Sequence, residues 1–168
     1  MARARKRAVR RRRPARRPPS AKRPPAAKRA PAPPAPVTSD AEQRLLALAR
    51  ELEGLGADAL PGAVRALAAA YAPDGELAAA VHRAWLGSRA DKTATLALAW
   101  AREQLRLGLQ GVIEATPPSA RGVLPLPSEN LAWLLLAACE SLAHEPPSAA
   151  ADRLRLLLQL TGRGTPLA

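Results

Sequence analysis

Residues 131–139 read LAWLLLAAC, nine consecutive positions without a polar side chain. Successive residues of an α-helix are about 100° apart around its axis, so such a run points in every direction. A helix on the surface of a small bundle buries only one stripe, about a third of its circumference. The segment therefore predicts a helix that needs cover on all sides. It is far too short to span a bilayer, which takes about 20 apolar residues.

The chain around this segment has a helical pattern from residue 37 onward. Ser39 precedes Glu42 by three residues, a capping-box pattern that satisfies backbone donors at a helix start. Apolar residues at helical spacing, interrupted by Gly and Pro, then predict further helices. Their expected starts follow Asp58, Gly75, Asp91, Ser128 and Ser148, with serine side chains capping the last two. No stretch alternates like a strand, so the predicted fold class is all-α, with six helices.

The longest predicted helix runs from Asp91 to near Ala115 and has two distinct faces. Its apolar stripe comprises Leu98, Ala101, Leu105, Leu109 and Val112. Polar residues four apart, Arg102, Arg106, Gln110 and Glu114, are expected on the solvent side.

The predicted sixth helix carries more leucine than one face can hold. The residues concerned are Leu154, Leu156, Leu157, Leu158 and Leu160. Two adjacent helices with surplus apolar surface predict a shared interface, most simply a two-fold dimer with a four-helix seam. A monomer remains the alternative, because a domain of about 130 residues can enclose one central helix.

Residues 1–36 form a segment of different composition, in which 14 Lys or Arg occur with no acidic residue. Nine of the chain's 18 prolines also lie there, and the segment has no aromatic residue. Such a composition cannot bury a core and predicts a disordered basic tail, distinct from the domain at 37–168. Its cations are expected to bind the phosphates of DNA without reading sequence. These residues are Arg3, Arg5, Lys6, Arg7, Arg10, Arg11, Arg12, Arg13, Arg16, Arg17, Lys22, Arg23, Lys28 and Arg29.

Another interpretation of the tail remains open. The chain uses 22 Arg against 4 Lys and is rich in Ala and Pro, which is the bias that GC-rich codons produce. The tail would then be incidental, or would result from a start codon placed too early. A tail that only keeps the protein soluble is a third possibility.

Catalysis is not expected, because the chain offers few reactive groups. Its two histidines, His82 and His144, have no convincing partners for a catalytic or metal site, and the single Cys139 excludes an internal disulfide. A thiol inside an apolar run is normally a buried hydrophobe and a poor nucleophile. We therefore predict no catalytic residue, metal or cofactor. No secretory or transit pattern is present, which favours a cytoplasmic location.

Three segments resemble the C-terminal regulatory domain of the TetR family of transcriptional repressors. They are WAREQLRLGLQGVIEA at 100–115, RGVLPLPSENLAWLLLAACESLAHE at 121–145 and SAAADRLRLLLQLTG at 148–162. In that family a helix ends in a Gly- and Pro-containing loop, and two further helices then build the four-helix seam of a dimer. The family's helix-turn-helix domain, which precedes this region, is not found, and the basic tail stands in its place.

The resemblance implies two sites and a function. The dimer seam would include Leu131, Trp133, Leu134, Leu135, Ala138, Leu142, Leu154, Leu157 and Leu158. A cavity for a small apolar ligand would be lined by Tyr71, Trp85, Trp100 and Leu105, although tryptophans at helical spacing are also typical of a plain core. Together with the basic tail, the resemblance implies a bacterial, nucleoid-associated transcription regulator that forms a homodimer and binds DNA through that tail. A structural nucleoid protein and a partner-binding module without a DNA function are the alternatives.

Overall fold

The computed structural model describes residues 39–56, 59–121 and 126–162. Within these ranges the chain forms six α-helices and no β-strand, which confirms the predicted all-α class. The predicted basic tail, with all of its proposed DNA-binding residues, lies outside the described residues. The helices are α1 (Asp40–Glu53), α2 (Leu60–Ala70), α3 (Glu76–Gly87), α4 (Lys92–Ala115), α5 (Ser128–Leu142) and α6 (Pro147–Thr161). None of these helices combines the length and the apolar character that crossing a bilayer requires.

Local sequence sets the start of two helices as expected. At α1 the backbone N–H of Glu42 donates to Ser39 Oγ at 3.3 Å, and the Ser39 hydroxyl donates to the Glu42 carboxylate at 2.8 Å. At α4 the Asp91 carboxylate accepts from the backbone N–H groups of Thr93 and Ala94, at 2.9 and 3.1 Å. The three backbone bonds satisfy donors that a helix start leaves without a partner, so the predicted Ser39 cap and the predicted start of α4 after Asp91 are confirmed.

The caps predicted at Ser128 and Ser148 were wrong. Neither side chain makes a capping hydrogen bond, and the residues that precede the two helices are Pro127 and Pro146. Proline holds φ near the helical value and brings the chain into the first turn without help from a side chain. Ser128 is consequently the first residue of α5, and Ser148 lies inside the first turn of α6.

The centre of the fold is the long contact between α1 and α4, which is the most extensive contact between two helices here. The two backbones approach closely at Gly108, where an added Cβ would lie 3.1 Å from the carbonyl oxygen of Ala49. On its other side α4 packs against α5, which also contacts α2, while α6 packs mainly on α2. The remaining helix, α3, lies beside α1 and close to α4, where it forms one wall of a pocket.

Only part of the apolar run in α5 is covered within the chain. Five of its nine residues are buried: Leu131, Ala132, Leu135, Leu136 and Cys139. Trp133 and Leu134, in contrast, are 57% and 41% exposed. The surplus predicted for α6 is also visible, since Leu156 and Leu160 are exposed. The described residues therefore do not supply the expected cover on all sides of α5.

The polar face predicted for α4 needs one correction. Arg106 was expected on the solvent side, but its side chain is only 11% exposed. Glu103 accepts from its Nε and Nη2, and the Gln110 side chain accepts from its Nη1 at 2.8 Å. Because these partners satisfy the guanidinium group, the aliphatic stem can be covered without leaving a charge unpaired.

Candidate functional site

A pocket of about 310 Å³ opens between α3, α4 and the C-terminal end of α5. Its lining consists of Tyr71, Ala78, Val81, His82, Trp85, Arg102, Glu140, Ala143 and His144. A second space, of about 170 Å³, reaches toward α1 and shares Tyr71, Val81, Trp85 and Arg102 with the first. Because four residues line both spaces, the two adjoin, and we refer to them together as the α3–α4 pocket.

An ion pair joins two of the helices that border the pocket. Arg102 on α4 donates from Nε and Nη2 to the two carboxylate oxygens of Glu140 on α5, both at 2.7 Å. This bidentate geometry is the strongest form of Arg–carboxylate contact. The hydrogen bonds that Arg102 donates to Glu140 are the main reason that the pKa of Arg102 is raised. The pair ties α4 to α5 and leaves the pocket with little net charge at this point.

Tyr71 lines both spaces and is the most unusual polar group of the pocket. It is 2% exposed, and its hydroxyl, which shows less than 1 Å² to solvent, has no hydrogen-bond partner among the described residues. Burial is the main reason that the pKa of this phenol is raised, and the Glu140 carboxylate acts in the same direction through its charge and through a contact with the hydroxyl that falls short of hydrogen-bond geometry. The hydroxyl therefore stays protonated and is a donor without a well-formed hydrogen bond among the described residues. Leaving such a group unpaired costs about 1 to 3 kcal/mol.

The remaining walls of the pocket are mostly apolar, with an exposed imidazole at two points. Ala78, Val81 and Ala143 are partly buried, whereas His82 and His144 are exposed. The ring of Trp85 is 56% exposed, and the Arg89 guanidinium carbon lies 5.2 Å from its centroid. That distance is within the range of a cation–π contact, which holds Trp85 from outside the pocket.

The predicted cavity residues divide between the pocket and other places. Tyr71 and Trp85 line the pocket together. Trp100 lines neither space and is 56% exposed, and Leu105 is completely buried in the core. Sequence reasoning missed Arg102 and Glu140 as a pair, because 38 positions separate them and no periodicity connects them. The only available signal was polar residues on helices that were expected to pack together.

The predicted dimer residues also fall into separate groups. Leu131, Leu135 and Leu142 are buried in the core of the same subunit. Those with intermediate burial are Ala138, Leu154, Leu157 and Leu158. Only Trp133 and Leu134 of the predicted seam are largely exposed.

The described residues show no group of three or more potential ligands, drawn from His, Cys, Asp and Glu, that could hold a metal ion. Cys139 is buried, and burial raises the pKa of its thiol from 9.0 to about 12. A thiol with such a pKa remains protonated near neutral pH and is a weak nucleophile. The pocket therefore offers hydrogen bonds and apolar contacts as its chemistry.

Comparison with protein-family models, with curated proteins and with solved structures finds no match to this chain. The resemblance to the TetR family consequently remains a prediction made from the sequence.

Proposed function

We propose that this protein is a TetR-like DNA-binding regulator whose helical domain binds a small molecule. The observation that carries the proposal is the α3–α4 pocket, which has apolar walls, a few convergent polar groups and a volume of about 310 Å³ in its larger part. Ligand sites typically span about 300 to 1,000 Å³ and are built in this way. A protein that only coats DNA needs no ligand site, so a small molecule bound in this pocket would favour a regulator over a structural nucleoid protein.

The basic tail supplies the proposed contact with DNA. Its 14 cations, without a single acid, can neutralise phosphates and release the counterions that surround a duplex. Such contacts bring affinity and a strong dependence on salt, but they don't select a sequence. Arginine, which dominates the tail, also suits insertion into a narrow minor groove.

A dimer would give the regulator two tails, so that the binding of one raises the local concentration of the other. We place the second subunit against the exposed apolar side chains Trp133 and Leu134 of α5 and Leu156 and Leu160 of α6. The corresponding test is sedimentation at micromolar concentration. Trp133→Ser is expected to shift the protein from dimer to monomer. A parent protein that sediments as a monomer would contradict this part of the proposal.

The proposed DNA function is tested by a mobility-shift titration over a range of salt concentrations. The full chain is compared with a variant in which all 14 Lys and Arg of residues 1–36 are replaced by Gln. For the parent, the logarithm of the binding constant is expected to fall with the logarithm of the salt concentration, with a slope of about −0.9 per phosphate neutralised. The variant is expected to bind much more weakly and to show little dependence on salt. Unchanged affinity in the variant would remove the tail from the mechanism.

The same titration separates a regulator from a coat protein. If its arginines insert into the minor groove, a regulator is expected to prefer duplexes with a narrow minor groove at high salt, where the contribution of phosphate contacts is weakest. Equal binding to every duplex at all salt concentrations would instead indicate a structural nucleoid protein.

A further inference from the structure

Beside the α3–α4 pocket lies a buried hydrogen-bond donor that makes no well-formed hydrogen bond within the described residues. A buried tyrosine hydroxyl normally finds a partner, because an unpaired one costs its full desolvation energy. Tyr71 is 2% exposed and has none among the described residues. The residue lies where the two spaces of the pocket adjoin, since it lines both of them. An acceptor from outside the chain would satisfy this group.

The charges around Tyr71 favour an acceptor without charge. Arg102 is already neutralised by its two hydrogen bonds to Glu140. An anion would have to give up its hydration, approach the Glu140 carboxylate and compete with it for the guanidinium group. A neutral oxygen acceptor avoids all three costs. The apolar side chains of Ala78, Val81 and Ala143 suit a hydrocarbon body attached to that acceptor.

Access to the hydroxyl requires a change in the side chains around it. The Tyr71 oxygen shows less than 1 Å² to solvent. Trp85 lines both spaces, yet more than half of its surface is exposed. Rotamer changes of this kind are common when a ligand binds, while the backbone stays in place. Ligand binding is therefore expected to change the surroundings of the Trp85 indole.

From this geometry we propose that the pocket binds an uncharged, mainly apolar small molecule through a carbonyl oxygen that accepts a hydrogen bond from Tyr71. Ketones, lactones and esters with a compact hydrocarbon body belong to this class. The inference rests on the proposed function, because it names the class of ligand that the regulator would sense.

The test uses three probes of the same ring size: cyclooctanone, cyclooctane and cyclooctanecarboxylate. The reporter is the full chain with Trp100→Phe and Trp133→Phe, which leaves Trp85 as its single tryptophan. Cyclooctanone is expected to change the Trp85 fluorescence in a saturable manner, and Tyr71→Phe to weaken its binding by about five- to tenfold. Cyclooctane lacks an acceptor, so its binding is expected to be the same with Tyr71 or Phe.

A matched pair of alanine variants tests whether the probe occupies this pocket. Ala78 on α3 lines the larger space, while Ala151 on α6 is exposed and lines neither space. Ala78→Leu is expected to abolish cyclooctanone binding because the added side chain fills the space. Ala151→Leu is expected to leave the binding unchanged. Circular dichroism confirms that each variant retains its helices.

Three outcomes would overturn the inference: no saturable binding of cyclooctanone, equal affinity of the parent and Tyr71→Phe for it, or tighter binding of cyclooctanecarboxylate. The last result would assign the pocket to organic acids. All of these measurements are made without DNA, whereas the test of the proposed function measures DNA binding without a probe. Failure of the carbonyl assignment and failure of the regulator hypothesis can thus be told apart.

Discussion

The two sides of α4 illustrate how one helix can serve stability and binding at once. Around Gly108, the helix meets α1 at close range, and Leu105 and Val112, one turn to either side, are buried. Toward α3 and α5, the same helix presents Arg102, beside the unpaired Tyr71 hydroxyl and open space. The first contact is filled with apolar atoms, whereas the second gives up packing and a hydrogen bond. Such local losses of stability are typical of binding sites.

The largest loss of stability is expected on the side of α4 that faces α1. Leu105→Ala removes a completely buried side chain and is expected to lower the free energy of unfolding by about 3 kcal/mol, since it also leaves a cavity. Leu107→Ala is the control on the same helix, because Leu107 is 44% exposed, and a loss below about 1 kcal/mol is expected. Urea denaturation measures both. Equal losses in the two variants would contradict the assignment of Leu105 to the core and of Leu107 to the surface.

The close approach of α1 and α4 can be tested by a pair of glycines. At Gly108 an added methyl group would meet the Ala49 backbone at 3.1 Å, whereas at Gly111 nothing lies within 4 Å. Gly111→Ala is expected to stabilise the protein by up to about 1 kcal/mol through helix propensity. Gly108→Ala should be less stable than Gly111→Ala by about 2 kcal/mol, because the helices must separate. Similar stabilities in thermal unfolding would show that this contact is not tight.

Alkaline pH is expected to destabilise the protein through Cys139. Its pKa is about 12 in the folded chain against an ordinary value of 9.0, so the unfolded chain loses this proton first. The stability contribution of the protonated thiol is complete below pH 9 and declines as the pH rises toward 12. Between pH 8 and 10 we expect a loss of about 1 kcal/mol.

Urea denaturation at a series of pH values measures this effect. Cys139→Ala is expected to remove it and to leave only the smaller decline from Tyr71, whose pKa is also raised. An unchanged decline in Cys139→Ala would rule out the thiol as its source.

The smallest change in stability is expected on the pocket side of α4, and it is a gain rather than a loss. Tyr71→Phe removes a hydroxyl that has no partner among the described residues, so the free energy of unfolding is expected to rise by about 1 kcal/mol. The affinity of the Tyr71→Phe variant for cyclooctanone should fall at the same time. Urea denaturation measures this increase in the free energy of unfolding. A loss of stability on removing the hydroxyl would mean that it is already satisfied in the folded protein.

Much of the fold was predictable because its signals are local. Ser39 with Glu42 marks the start of α1, and Asp91 marks the start of α4, since caps act within a few residues. The serine caps of α5 and α6 failed because the preceding prolines determine the same turns. The pocket was only partly predictable: Tyr71 and Trp85 belong to it, but Arg102 meets its partner across 38 positions.

The sequence by itself determined the helical class, most helix starts and the contrast between a basic tail and a nearly neutral remainder. These properties depend on composition, and on spacings of three or four residues, which act within one stretch of chain. Only the tertiary structure decided which apolar residues of α5 are covered and where Arg102 finds Glu140. It also decided that the Tyr71 hydroxyl is buried unpaired. These features arise where helices distant in sequence meet, and no local pattern encodes which neighbours a side chain will have.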